Sequence, residues 1–415
     1  MLIEFPYSDA LISMEFPDDT VVLSGKKSDV LSDDKIRDAI EKALLIRKGQ
    51  FENKKIAIIV NDITRRVPSE KILGILLGYL PAENIEILVA TGTHSGSTRD
   101  DLKAILGKWY ETFASKIHCH DCDNDSLLRK IGETSNGTPV WINRNFLEAE
   151  AVICINSVEP HFFAGFTGGR KSIVPGLAGR ETVVANHCLA KSEEAKSLNL
   201  KDNPVHLDLK EAVDMAVTMP VFSIQLILSR NGEIIDLFCG ELSESFEKAC
   251  KTARDIYSIP ISETYDILFA IGEHPLDINL YQLQKAQEHG AEAVSEGGIL
   301  IVVGACDEGV GSPYFMNLAD EYPTPESALS EIALNDNRFG IHKLVKTARR
   351  LKKIKIWYVT KLDDKVVRKV YFVPICSPRD ALDKALEYFG DAAKIAILRD
   401  ACFLVPVSDD VKGGL

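Results

Sequence analysis

Short runs of consecutive apolar residues alternate with amphipathic stretches along most of the chain. That order is expected when parallel strands, buried on both faces, are linked by helices. Lys55-Ile56-Ala57-Ile58-Ile59-Val60 predicts a buried strand, followed by the polar loop 61–66 and a helix that Pro68-Ser69-Glu70 opens and that runs to about Leu80. Residues 85–90 predict the next strand, with a helix over 99–113 behind it, and 151–155 predict a third strand. Two apolar runs, 222–228 and 233–238, flank Asn231-Gly232 and predict a hairpin, with a helix over 243–253 to follow. The stretch 259–264 is read as a linker. Beyond it, strands over 265–271, 298–303 and 355–359 alternate with helices over 280–295, 327–334 and 378–389, and 393–398 predicts a last strand.

The pattern predicts an α/β fold with two α/β domains and a site in the cleft between them. Residues 1–262 form the first domain and 265–390 the second. A chain of 415 residues has room for two such cores. With 46% hydrophobic and 26% charged residues its composition is that of a globular enzyme. A formal charge of −13 argues against nucleic acid or an anionic membrane as partner. No apolar run reaches the ~20 residues of a membrane helix, and the start carries no signal-peptide pattern. Nine scattered cysteines suit reduced thiols in the cytoplasm. Cys119-His120-Asp121-Cys122 lacks the second pair a structural zinc needs. Asp121, Asp123 and Asp125 start like a calcium loop, but Ser126 and Gly132 stand where glycine and glutamate belong.

The candidate chemistry falls just past the ends of predicted strands, where open α/β sheets bind ligands. The densest stretch is His161-Phe162-Phe163-Ala164-Gly165-Phe166-Thr167-Gly168-Gly169-Arg170-Lys171-Ser172, continuing to Pro175-Gly176. So many glycines fill no core, so the run must bend tightly and bring backbone close to a ligand. It is not a nucleotide-triphosphate loop, because Arg170 stands where such a loop requires glycine. His94, His161 and His187 are candidates for proton transfer or metal ligation. Arg65 offers a fork for a carboxylate or phosphate, and Thr91-Gly92-Thr93 a cradle of amides and hydroxyls. Tyr281, Gln282 and Lys285 can project together from the first turn of the 280–295 helix.

These residues together resemble the nickel-dependent lactate racemase family. The match includes Asp62-x-Thr64-Arg65, Ala90-Thr91-Gly92-Thr93-His94 and Glu159-Pro160-His161-x-x-x-Gly165-x-x-Gly168-Gly169-x-Lys171-x-x-x-Pro175-Gly176. Asn186-His187 and Tyr281-Gln282-x-x-Lys285 complete it.

The resemblance implies a nickel-pincer mononucleotide (pyridinium-3-thioamide-5-thiocarboxylic acid mononucleotide with nickel) covalently attached at Lys171, with His187 as the protein's nickel ligand. Asp62, Thr91, Thr93, Gly168 and Gly169 would hold that cofactor. Arg65, Tyr281, Gln282 and Lys285 would bind the substrate, and His94 and His161 would act as paired acid and base. It further implies racemisation or epimerisation of a 2-hydroxy acid by hydride transfer from Cα and back through a 2-oxo acid, one base serving each enantiomer. A last strand near 393–407, within about 392–415, would return to the first domain. Enzymes that make the cofactor would be transient partners. Ser95, where a basic residue is expected, departs from the family pattern and leaves the choice of 2-hydroxy acid open. A sugar-acid 2-epimerase with the same cofactor, or a cofactor carrier without turnover, are the other readings; a carrier would have no need of both His94 and His161.

Overall fold

The computed structural model describes residues 1–26, 28–94 and 96–408, so Ser95 and the end of the tail lie outside the described residues. Ile56 to Asn61 form a strand in which Ile56, Ile58 and Val60 pack into one apolar cluster while Ala57 and Ile59 pack into another. That division by alternate residues is what a strand covered on both faces must show. It lies inside a six-stranded sheet ordered Ile234–Gly240, Val221–Leu228, Ala151–Ser157, Ile56–Asn61, Ile85–Ala90, Ile117–Cys119. All neighbours are parallel except the hairpin partner Ile234–Gly240. The chain leaves Ile56–Asn61 toward one edge, then returns to build Ala151–Ser157 on its other side. The connections therefore diverge between these two strands, and a crevice opens at their carboxyl ends.

A second six-stranded sheet is parallel throughout, ordered Val373–Ile375, Lys355–Val359, Val294–Val303, Tyr265–Ile271, Ile395–Leu398, Val21–Leu23. Its central strand divides as the first sheet's does, with Ile267, Phe269 and Ile271 in one cluster and Leu268 and Ala270 in another. The two sheets share a core, since Val158, Phe166 and Phe246 belong to the cluster that holds Leu268. Polar ties clamp them too: Lys191 Nζ donates to the Leu334 and Asp336 carbonyls (2.7 and 2.8 Å), and Lys346 Nζ to that of Ala195 (2.8 Å). No described helix is long and apolar enough to cross a membrane.

The α/β class and its strands follow the hydrophobic pattern, with instructive departures. The expected linker contains a strand, Ser258–Ile261, parallel to Val405–Ser408. The strand expected to return to the first domain, Ile395–Leu398, instead inserts beside Tyr265–Ile271 in the second sheet. All four of its residues are buried and apolar, and this slot covers both their faces. The helix over 99–113 stops at Leu106, because Gly107 takes φ +54°. The helix over 280–295 ends at Gly290, and the one over 327–334 is two short helices, Pro325–Ala328 and Glu331–Asn335.

The glycine run crosses the mouth of the crevice. Pro160–His161 pairs antiparallel with Gly165–Phe166, and Gly168 (φ +77°) turns the chain into the helical turn Gly169–Ser172. A Cβ on Gly168 would lie 2.6 Å from Val158 Cγ2 and 2.8 Å from the Ser157 carbonyl oxygen. Gly309 shares that conformation (φ +79°) but has nothing within 4 Å. Gly309→Ala should therefore lose only the left-handed backbone cost, about 1–3 kcal/mol. Gly168→Ala should lose about 1–3 kcal/mol more from overpacking. Urea denaturation of the two variants checks the difference, which vanishes if the loop is not pressed against the strand.

Candidate functional site

Three neighbouring strands deliver the chemistry to one place. Asp62, Thr64 and Arg65 follow Ile56–Asn61; Thr91, Thr93 and His94 follow Ile85–Ala90; His161 follows Ala151–Ser157. With Gly168, Lys171 and His187 they line one cavity of about 520 Å³, closed from the second sheet's side by Asn279, Tyr281, Gln282, Lys285, Phe339 and Lys343. Cavities of about 710 and 960 Å³ lie elsewhere, so chemistry and not size singles this one out. Gly169 faces away from it: its amide donates to Gln225 Oε1 (3.0 Å), and Phe246 fills the space where its side chain would go. Thr91 reaches the wall, but its hydroxyl donates to the His120 carbonyl (2.7 Å).

Asp62 is engaged through both carboxylate oxygens. Oδ1 accepts from the Thr64 amide (3.1 Å) and hydroxyl (2.5 Å), and Oδ2 lies 2.6 Å from His94 Nδ1. Burial alone would raise this carboxyl, but the His94 hydrogen bond and charge, with Thr64 and Arg65 behind them, hold it below the usual carboxylate range. A carboxylate accepts only, so Nδ1 of His94 carries the proton of this hydrogen bond. His161 is set the other way. Its Nδ1 accepts from the Ala164 amide (3.3 Å), which puts the proton of its neutral ring on Nε2. Burial, then Lys171, Lys285 and Arg65, push its pKa well below the ordinary histidine value.

Cations dominate the rest of the wall. Arg65 pairs with Glu159 (3.2 Å), which leaves part of its fork for a ligand. Burial first, then Arg65, bring Lys285 down to about 8 against the pull of Glu159. Lys171 is driven well below the usual lysine value by burial, then Arg170, Arg65 and Lys285. What surface Lys171 and His187 still expose faces the cavity. Lys171 is thereby made easier to deprotonate, and so more nucleophilic, than a solvated lysine. His187 sits in the last turn of Arg180–Cys188, its ring 5.0 Å from that of Phe163. Burial, then Lys171 and Lys343, lower it to about 3, the Val183 carbonyl one turn back opposing them. Its buried Nδ1 makes no hydrogen bond of acceptable geometry, so the imidazole is neutral and available to a metal. An electrophile for Lys171 and a borderline metal for His187 both fit this donor set.

Sequence reasoning missed the lid. Phe339, His342 and Lys343 belong to or adjoin the helix Ile341–Leu351, and His342 stands 6.2 Å from His187, ring to ring. Lysines and a histidine on a strongly amphipathic helix read as its solvated face, and nothing local in the sequence says that this face is buried. Glu159, seen only as part of a motif, proves to be the partner of Arg65.

The fold and cleft define a two-domain α/β protein that holds a ligand between its sheets, with a paired-histidine site beneath the glycine run. Residues 7–199 match the lactate racemase N-terminal domain and residues 262–405 the lactate racemase C-terminal domain. Lactate racemase from Lactiplantibacillus plantarum is 33% identical over 359 residues, 83% of each chain. That from Thermoanaerobacterium thermosaccharolyticum is 31% identical over 345 residues, 80% of each. The solved lactate racemase apoprotein from T. thermosaccharolyticum superposes with a TM-score of 0.88 at 28% identity, covering 98% of this chain and all of that one. A Thermotoga maritima protein shares the fold at TM-score 0.71 and 19% identity, over 92% of this chain and all of that one. The chain belongs to the lactate racemase family.

The buried rings set an acid limit on the apoprotein. His187 is neutral in the fold but takes a proton in the unfolded chain below about pH 6.5. The unfolded state then binds more protons, so stability falls as pH drops from about 6.5 toward 3, by about 1.4 kcal/mol per unit for each such ring. His187→Gln should flatten that slope by one ring's share in urea titrations at successive pH values. An unchanged slope would show that the ring is solvated.

Proposed function

We propose that this protein interconverts the enantiomers of a short 2-hydroxy acid, lactate or a relative, as a nickel-pincer-dependent racemase or epimerase. The observation that carries the reading is the pair His94 and His161. His94 turns its Nδ1 proton to Asp62, His161 accepts at Nδ1 from the Ala164 amide, and both line one cavity with a buried lysine and the imidazole of His187. A carrier of the cofactor would not need the Asp62–His94 pair.

Lys171 would hold the cofactor through its amine and His187 would ligate the nickel, while Thr93 and Gly168 border the space for it. When bound, that group supplies a reversible acceptor for the Cα hydride. The remaining work falls to this chain's own residues. Arg65 and Lys285 grip the substrate carboxylate, Arg65 oriented by Glu159. Tyr281 and Gln282 wall the substrate in. His94 Nε2 takes the hydroxyl proton of one enantiomer as a base, with Asp62 stabilising the resulting imidazolium. His161 serves the other enantiomer as base from the tautomer that leaves Nε2 bare, at the cost of the Ala164 hydrogen bond. The proton either ring takes up is the one given back to the substrate oxygen, so neither is left as an imidazolate.

The half built on the sheet of Ile56–Asn61 would then hold the cofactor, and the half built on the sheet of Tyr265–Ile271, which also takes in Val21–Leu23 and Ile395–Leu398, would close over it. The substrate is a small molecule, with cofactor-making enzymes as transient partners. Nine free thiols suit a cytoplasmic location.

The equilibrium constant between enantiomers is unity, so the two steady-state kcat/KM values must stay equal in any variant. The test therefore lies in the half-reaction. In acid-quenched single turnovers of loaded enzyme, wild type should yield 2-oxo acid from both enantiomers. His94→Ala should slow that yield from one enantiomer by about 10²–10⁴-fold, and His161→Ala should slow it from the other. Equal losses for both enantiomers in each variant would refute the two-base assignment.

A further inference from the structure

One cation in the cavity is left over by this reading. Lys343 lies in the first turn of Ile341–Leu351, is 3% exposed, and lines the cavity beside Lys285. Its ammonium donates to the Tyr281 carbonyl (2.8 Å) and stands 3.8 Å from the centre of the Tyr281 ring and 4.7 Å from that of Phe162. The acid that draws on it, Glu288, is itself paired with Arg350 (3.3 Å).

A lysine is a poor choice for a mere tie between helices. Taking an ammonium out of water costs several kcal/mol, and a desolvated ring face returns about 2 kcal/mol. One carbonyl satisfies one of its three donors. What remains unsatisfied faces a cavity that already carries Arg65 and Lys285, and burial and Lys285 both work against the charge. An anion entering beside it would supply the missing partner.

The surroundings say which part of a ligand that anion belongs to. Phe162 stacks on His161 (5.4 Å between rings), and Tyr281 stands one turn before Lys285 on the same helix. Lys343 thus lies between the turn that grips the substrate carboxylate and the ring beside the acid–base pair. With the carboxylate on Arg65 and Lys285 and the hydroxyl at the histidines, the substituent on C2 is what remains to meet it. We propose that Lys343 receives a second carboxylate there, so that the preferred substrates are short 2-hydroxy dicarboxylic acids rather than lactate. This rests on the racemase reading and narrows it.

Malate and lactate are the probes, with binding measured calorimetrically on the apoprotein and racemisation on the nickel-loaded enzyme. Wild type should favour malate by about tenfold or more in both Kd and kcat/KM. Lys343→Met should cut that malate-to-lactate ratio by about tenfold, and Lys343→Arg should keep most of it. A wild-type preference for lactate overturns the proposal, as does a ratio unmoved in Lys343→Met. Loss of cofactor mass or nickel in Lys343→Met with the ratio unmoved also overturns it, and assigns the lysine to the cofactor. If Lys343→Met fails to fold, the ratios of wild type and Lys343→Gln decide in the same way. Malate binding that depends on Lys343, without turnover of any 2-hydroxy acid, would support the anion site and overturn the racemase reading instead.

Discussion

Burying an amine among other cations, without a carboxylate of its own, constrains everything around this cleft. Burial and the charges of Arg170, Arg65 and Lys285 all oppose protonation of Lys171, with only Glu159 pulling the other way. His161 and His187 are neutral for the same reasons. Such a set is stable only while water is excluded and the backbone carrying it cannot relax. The glycine run meets the second condition, since the turn at Gly168 is pressed against Val158 and the Ser157 carbonyl and leaves no space for a side chain. A readily deprotonated amine and an open imidazole side by side are also what a covalently held, metal-bearing cofactor would require, so the same constraint serves both fold and chemistry.

Asp62 shows how a charged group is tolerated in that setting. It is hydrogen-bonded to His94 on the cavity wall, and Thr64, His94 and Arg65 hold its carboxyl below the usual range against burial. His161, one strand over, has a backbone amide where His94 has a carboxylate. Two histidines that look alike in the sequence thereby acquire opposite Nδ1 partners, an acceptor for His94 and a donor for His161.

Much of this was legible in the sequence because it is written locally. Strands such as Ile56–Asn61 and Tyr265–Ile271 are uninterrupted apolar runs, and a parallel sheet places whatever follows them at one edge. Asp62, His94, His161 and Lys171 were found in that way. What was not legible depends on long-range packing. Ile395–Leu398 could lie in either sheet by its composition, and only the slot beside Tyr265–Ile271 decides. Lys343 and His342 look solvent-facing on their own helix, yet Lys343 becomes part of the wall and His342 packs behind it against Phe163 and His187. Gly169 looked like part of the cradle, yet its position against Phe246 makes it a packing glycine.

The central claim is that Lys171 and His187 were brought together to hold one nickel-bearing group. The most direct test is the intact mass, with nickel quantified on the same sample, of protein co-expressed with the cofactor-making enzymes. The account predicts an adduct of mononucleotide size and about one nickel per chain on the wild type. It predicts no adduct on Lys171→Ala, and an adduct with little nickel on His187→Ala. An unmodified, nickel-free wild-type protein under those conditions would contradict it.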